Sequence, residues 1–125
     1  MTAVLRAEAA FRAQVQAVRT PRAQEYDALA RVTRALQMAE QTRESDFARL
    51  ASAIHDNQRL WTIFAVDVAD PKNELPVPLR ARILALADFT RRHSGQVLRE
   101  KAAVDPLVEI NTALMRGLSG SGAPQ

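Results

Sequence analysis

His55 and His93 are the two histidines of this 125-residue chain, and little around them supports chemistry. A metal centre needs His, Cys or carboxylate side chains that converge on one point. The chain has no Cys, its histidines fall on different predicted helices, and His55-Asp56 are neighbours whose side chains diverge on a helix. Of the 4 glycines, only Gly95 precedes Gly117, so there is no glycine-rich cradle for phosphate and no dinucleotide fingerprint. No Ser sits in the strained Gly-flanked elbow of a hydrolase nucleophile. The expectation is a protein that is not an enzyme, without metal or cofactor, whose histidines are structural or lie on the surface.

Three polar-bearing positions lie within apolar stripes. Asn57 falls between Ile54 and Trp61 at helical spacing, which predicts at least partial burial. Its amide then either meets a neighbouring helix and fixes register, or donates to a partner peptide. Asp67 stands in the last turns of a predicted helix, where the macrodipole disfavours an anion. It calls for a cation, with Arg34 or Arg80 on a facing helix as candidates, and an Asp67–Arg80 structural clamp is the expectation. Trp61, the single Trp, reads as core by its spacing and as a binding anchor by its indole N–H.

Composition narrows the class. The chain is 47% hydrophobic, 25% charged and 5% aromatic, the profile of one ordinary domain rather than a disordered chain. Lys72 and Lys101 are the only lysines, so the net charge of +3 is carried by Arg. A guanidinium stays protonated and lifts the isoelectric point to about 10.2 out of proportion to the charge. The arginines are interspersed with acids, Arg91-Arg92 being an adjacent pair, and the aromatics do not alternate with basic runs as stacking platforms for RNA do. Direct RNA binding is therefore the weaker reading. Without an apolar run of membrane-helix length or a signal-peptide core, the expectation is no membrane insertion and a cytoplasmic location.

The elements that must position these residues are helices. Ala3 to Val18 carries Val4, Ala7, Phe11, Val15 and Val18 on one side and predicts a first helix. Thr20-Pro21 is a cap followed by proline at the first helical position. Beyond it, Tyr26, Leu29, Thr33 and Leu36 adjoin a stripe of Ala28, Val32, Ala35 and Ala39. A third helix starts near Ser45 or Asp46 and runs to about Ala69, with Phe47, Leu50, Ile54, Trp61, Phe64 and Val68 on one face. From Leu60 to Ala69 it is apolar nearly all round, which predicts a central, enclosed helix. Asp70 to Pro76 is a connector. The fourth helix carries Leu79, Ile83, Leu86, Phe89 and Val97 and fades after Glu100, and Asp105-Pro106 opens a fifth with Leu107, Ile110, Leu114 and Leu118. The fold class expected is all-α, a single compact bundle of four to five helices over residues 1–118, with residues 119–125 a disordered, flexible tail.

A string of motifs then resembles one family. Pro21-Arg22 with Glu25-Tyr26 and Val32-Thr33-Arg34-Ala35-Leu36 resembles the start of the FlaF family of bacterial flagellar biosynthesis regulators. His55-Asp56-Asn57-Gln58-Arg59-Leu60-Trp61, with Asp67 beyond it, is similar to the family's Arg-Leu-Trp segment, and Asn73-Glu74-Leu75-Pro76 with Leu79-Arg80-Ala81-Arg82-Ile83 to its central connector and following helix. Ile110-Asn111 and Met115-Arg116-Gly117-Leu118 resemble its C-terminal signature. The resemblance covers Phe11 to Leu118, with Ala23, Phe11 and Gln58 as departures.

The resemblance implies a chaperone-like cytoplasmic factor that binds flagellin and supports its production and export. It also implies work beside a FlbT-type translational regulator and the flagellar export apparatus. The resemblance further implies a guest whose ends are amphipathic helices, which a bundle could hold in a groove between two of its own helices. The partner-binding residues expected are Arg22, Tyr26, Arg34, Asn57, Arg59 and Trp61, with the arginines orienting the guest. The Ala-rich first helix, cut off at Pro21, is expected to be displaceable and to guard the groove. The alternatives are an RNA-binding post-transcriptional regulator, or a scaffold that links flagellin to its translational regulator.

Overall fold

The structure, a computed structural model, describes residues 21–119, with side chains described over 23–117. The predicted first helix and most of the C-terminal tail lie outside the described residues. Among the described residues there are four helices: α1 Pro21–Gln41, α2 Phe47–Ala69, α3 Val77–Glu100 and α4 Asp105–Ser119.

Each boundary has a local cause. Pro21 opens α1, where its missing N–H costs nothing. α1 ends in a turn whose Thr42 carbonyl accepts from the Ser45 and Asp46 amides at 3.1 and 2.7 Å. Asp46 then caps α2, its carboxylate accepting from the Arg49 amide at 3.1 Å. After α2, the Asp70 carboxylate accepts from the Lys72 amide at 2.9 Å and the Asn73 side chain from the Leu75 amide at 3.0 Å, two turns that use up the chain's helical continuation. Pro78 sits in the first turn of α3. α3 stops at Lys101, which takes the left-handed conformation at φ 59°. α4 begins at Asp105 itself, with Pro106 second, one residue earlier than a cap at Asp105 implies.

The short connectors make antiparallel neighbours. α1 packs along both α2 and α4, α2 also packs along α3, and α3 meets α4 least. The interior is divided into layers. At the end holding the α1–α2 turn, Leu36, Ala39, Leu50, Ala53, Ile54, Val97, Val104 and Leu107 form one apolar cluster. At the other end, Leu29, Trp61, Phe64, Val68 and Ile83 form a second, flanked by Leu86, Ile110, Leu114 and Met115. The Trp61 and Phe64 rings meet edge to face, with centroids 5.4 Å apart. Between the clusters every helix contributes buried polar side chains: Thr33, Asn57, Thr90 with Ser94, and Asn111.

Arg43 fastens the first end. Its guanidinium pairs with Glu40 at 2.7 Å and donates to the Ala102 carbonyl at 2.9 Å, joining the α1–α2 turn to the α3–α4 connector. His93 does similar work, donating from Nε2 to the Ala103 carbonyl at 2.7 Å while stacking on Phe89.

The enclosed α2 expected from its all-round apolar stretch is corrected. Ile63 is 60% and Val66 68% exposed, and Phe47 at the helix start is also exposed. Among the described residues α2 packs along α1 and α3 and along no other helix, so its remaining sides are open. No described helix is long and apolar enough to cross a membrane.

Candidate functional site

The middle layer is one hydrogen-bonded network. The Trp61 indole N–H donates to Asn111 Oδ1 at 2.8 Å. Since an indole can only donate, this fixes the orientation of the Asn111 amide. Its nitrogen then donates to Thr33 Oγ1 at 3.0 Å and to Asn57 Oδ1 at 2.8 Å. Three helices, α1, α2 and α4, are thereby held in one register. α3 is not joined: Asn57 Nδ2, Thr90 Oγ1 and Ser94 Oγ are buried without a hydrogen-bond partner.

This burial settles where Asn57 and Trp61 lie. They are 0% and 2% exposed, so in this conformation they are interior residues and not the surface anchors expected of a partner site. The reason is the second amide on α4, which satisfies the Trp61 N–H and the Asn57 carbonyl oxygen inside. Asn111 and Thr33 entered the sequence reading only within motifs and stripes, not as expected site residues. The signal that flagged Asn57, a polar residue inside an apolar helical stripe, also stands at Asn111, beside Leu107, Ile110 and Leu114.

The expected Asp67–Arg80 ion pair is also corrected. Arg80 donates from Nε to the Val68 carbonyl at 2.9 Å and from Nη2 to the Asp70 carbonyl at 3.2 Å. It therefore compensates the negative end of α2 directly, through the carbonyls the helix leaves unpaired. Asp67 is instead met by Asn73, whose amide donates to its carbonyl at 3.1 Å and to its carboxylate at 3.2 Å. Both residues secure the α2–α3 corner, each by its own contacts.

Two grooves flank α2. The larger, a cleft of about 810 Å³ between α1 and α2, is lined by Asp27, Ala30, Arg31, Arg34, Ala35 and Met38 on α1 and by Arg49, Ser52, Ala53 and Asp56 on α2. Its floor is of small side chains, so another backbone can approach closely, while three arginines and two aspartates stand along it. Arg34, one of the expected partner-binding residues, lies in this cleft. Thr33 and Asn57 share the level of Asn111. Seven residues before Thr33 and six after Asn57 lie Tyr26 and Ile63, which therefore stand near one level of the bundle, outside the cleft's lining. Arg59 is exposed on α2, and the side chain of Arg22 lies outside the described ones. The smaller groove, of about 320 Å³ between α2 and α3, is lined by Trp61, Thr62, Ala65, Val66, Leu84, Ala87 and Thr90, with Gln58, Asp88 and Arg91 beside them. Asp88 is paired with Arg91 at 2.9 Å and Arg92 at 3.0 Å. The hydrogen bond from Arg91, joined by the charges of Arg92 and Arg91, holds its carboxyl below the ordinary value against the opposing effect of desolvation.

Among the described residues no group of His, Asp and Glu gathers as a metal site. Among the described residues α2 is thus flanked by two grooves, one with a charged lining and one mainly apolar.

Comparison with curated proteins and with solved structures finds no match. Comparison with protein families matches residues 7–118 to flagellar protein FlaF. That match spans all but the ends of the chain, including both walls of the cleft, the central connector and the Asn111 segment, and the chain therefore belongs to the FlaF family of flagellar proteins.

Proposed function

We propose that this protein binds flagellin before export, in the cytoplasm, by holding an amphipathic helical segment in the α1/α2 cleft. The observation that carries the reading is the cleft itself, small-floored and lined by Arg31, Arg34 and Arg49 with Asp27 and Asp56. A guest helix would seat its apolar side on Ala30, Ala53 and Met38 and pair its flanking charges with the two signs of the rim. Tyr26 and Ile63, both exposed, offer further apolar contact. Arg34 orients the guest, and Arg59 contributes from the outer side of α2. Asn57 and Trp61 act indirectly, by fixing how far α1 and α2 stand apart.

The test is titration of the purified protein with its cognate flagellin. Arg34→Glu and Met38→Asp are each expected to weaken binding tenfold or more while leaving helicity unchanged. Binding that both variants retain in full moves the site elsewhere, the α2/α3 groove being next. No binding by the parent protein overturns the chaperone reading. An RNA-binding role, for which the three cleft arginines speak, predicts instead affinity for the flagellin messenger leader that falls steeply with salt. Binding to the translational regulator alone would favour the scaffold.

A further inference from the structure

We infer that the guest of the α1/α2 cleft is an acidic-edged amphipathic helix, with two carboxylates one turn apart on the edge that faces α1. The inference deepens the proposed function and rests on its placing of the guest in this cleft.

The floor and the walls of the cleft differ in kind. Ala53 is buried and Ala30 and Ala35 are half-buried, so the floor is small and apolar. Asp27, Arg31, Arg34, Arg49 and Asp56 are exposed along the walls. Among the described residues, none of these five side chains makes an ion pair or a hydrogen bond. The α2/α3 groove contrasts with this, because its acid, Asp88, is already held by Arg91 and Arg92 at 2.9 and 3.0 Å. Of the two grooves, the α1/α2 cleft is therefore the one whose charges are left for a partner.

Spacing gives the pattern. Asp27, Arg31 and Arg34 follow one another at four and three residues along α1 and so share one side of it. Arg49 and Asp56 are seven residues, about two turns, apart on α2. Thr33 and Asn57 mark one level through Asn111, and the two helices are antiparallel. Counting from that level sets Asp56 opposite Arg34, and Arg49 about 10 Å farther toward the α1–α2 turn. A guest helix lying along the cleft has the same rise per residue, so the spacing transfers to it.

The edge of the guest toward α1 then carries two acids three or four residues apart, for Arg31 and Arg34, and a base one turn beyond, for Asp27. Its edge toward α2 carries a base for Asp56 and, about two turns away, an acid for Arg49. A guanidinium fork holds a carboxylate through two parallel hydrogen bonds, which ties recognition to position as well as to charge. A nucleic acid fits this lining less well. Asp27 and Asp56 repel a phosphate backbone, and the alanines and Met38 offer no ring on which a base stacks.

The test uses the full chain and two synthetic helical peptides with the same apolar stripe. The matched peptide carries this charge pattern on its edges, and in the second every charge is reversed. Fluorescence anisotropy is expected to show the matched peptide binding about tenfold tighter or more. Arg31→Glu with Arg34→Glu, both at exposed positions, is expected to abolish that preference with helicity unchanged, whereas the exposed Arg82→Glu on α3 keeps it. Equal affinity for the two peptides, binding of neither, or loss of the preference in both variants overturns the inference. Displacement of the matched peptide by a single-stranded RNA that binds more tightly overturns it as well. Flagellin titration separates the two readings. Flagellin bound by a protein indifferent to peptide charge leaves the proposed function standing and removes the acidic edge. A protein that prefers the matched peptide but does not bind flagellin keeps the acidic edge and loses flagellin as its source.

Discussion

At the scale of single residues, Asn111 carries more structure than any other polar side chain. It accepts from Trp61 and donates to Asn57 and Thr33, so its removal strands three buried groups at once. Asn111→Ala is expected to lower stability by about 2–4 kcal/mol, read from urea denaturation. Asn111→Asp should also destabilise, because a carboxylate keeps the acceptor for Trp61 but has no N–H for Asn57 or Thr33. Burial of Asn57 was legible from its place in an apolar stripe, but the identity of its partner was not. That depends on how closely α4 approaches α2, which no local pattern encodes. Asp88 makes a different kind of prediction. Its folded-state pKa is depressed by Arg91 and Arg92, so whatever it contributes is present above the ordinary carboxyl value and lost as pH falls through the lower folded one. An NMR titration should place its midpoint below 3.8, and Arg91→Ala should move it back up. Both partners are exposed, so the effect on stability is small.

At the scale of elements, helix boundaries were the most legible part of the molecule, because caps and prolines act within one turn. Asp46, the Asp70–Pro76 connector and Asp105-Pro106 all mark junctions seen in the structure, while Thr20 lies outside the described residues. The stop of α3 had no such signature, since Lys101 takes a left-handed conformation usually given to glycine. Lys101→Gly is therefore expected to raise stability by about 0.5–1 kcal/mol, measured as a higher Tm. Less legible were the faces. The pattern of α2 implied enclosure, yet Ile63 and Val66 are open to solvent. Apolar content states that a face is suited to burial and does not state what covers it. On α2 the uncovered sides coincide with the two grooves.

At the scale of the whole molecule, two apolar clusters sandwich a polar layer, and only three of the four helices are hydrogen-bonded through it. α3 is held there by packing, with its Thr90 and Ser94 hydroxyls unpaired. Thr90→Val keeps the shape and removes a buried unsatisfied group, and is expected to hold stability or raise it by about 1 kcal/mol in chemical denaturation. The sequence by itself determined the helical class, the junctions and the FlaF signature, because capping, proline geometry and apolar period are local. The tertiary structure decided which polar residues face inward together. It turned an expected Asp67–Arg80 clamp into separate contacts at one helix end, and it opened a cleft along α1 and α2. Those outcomes depend on the register and spacing of helices far apart in the chain, and that register is set by packing volume and hydrogen-bond satisfaction across the whole interior.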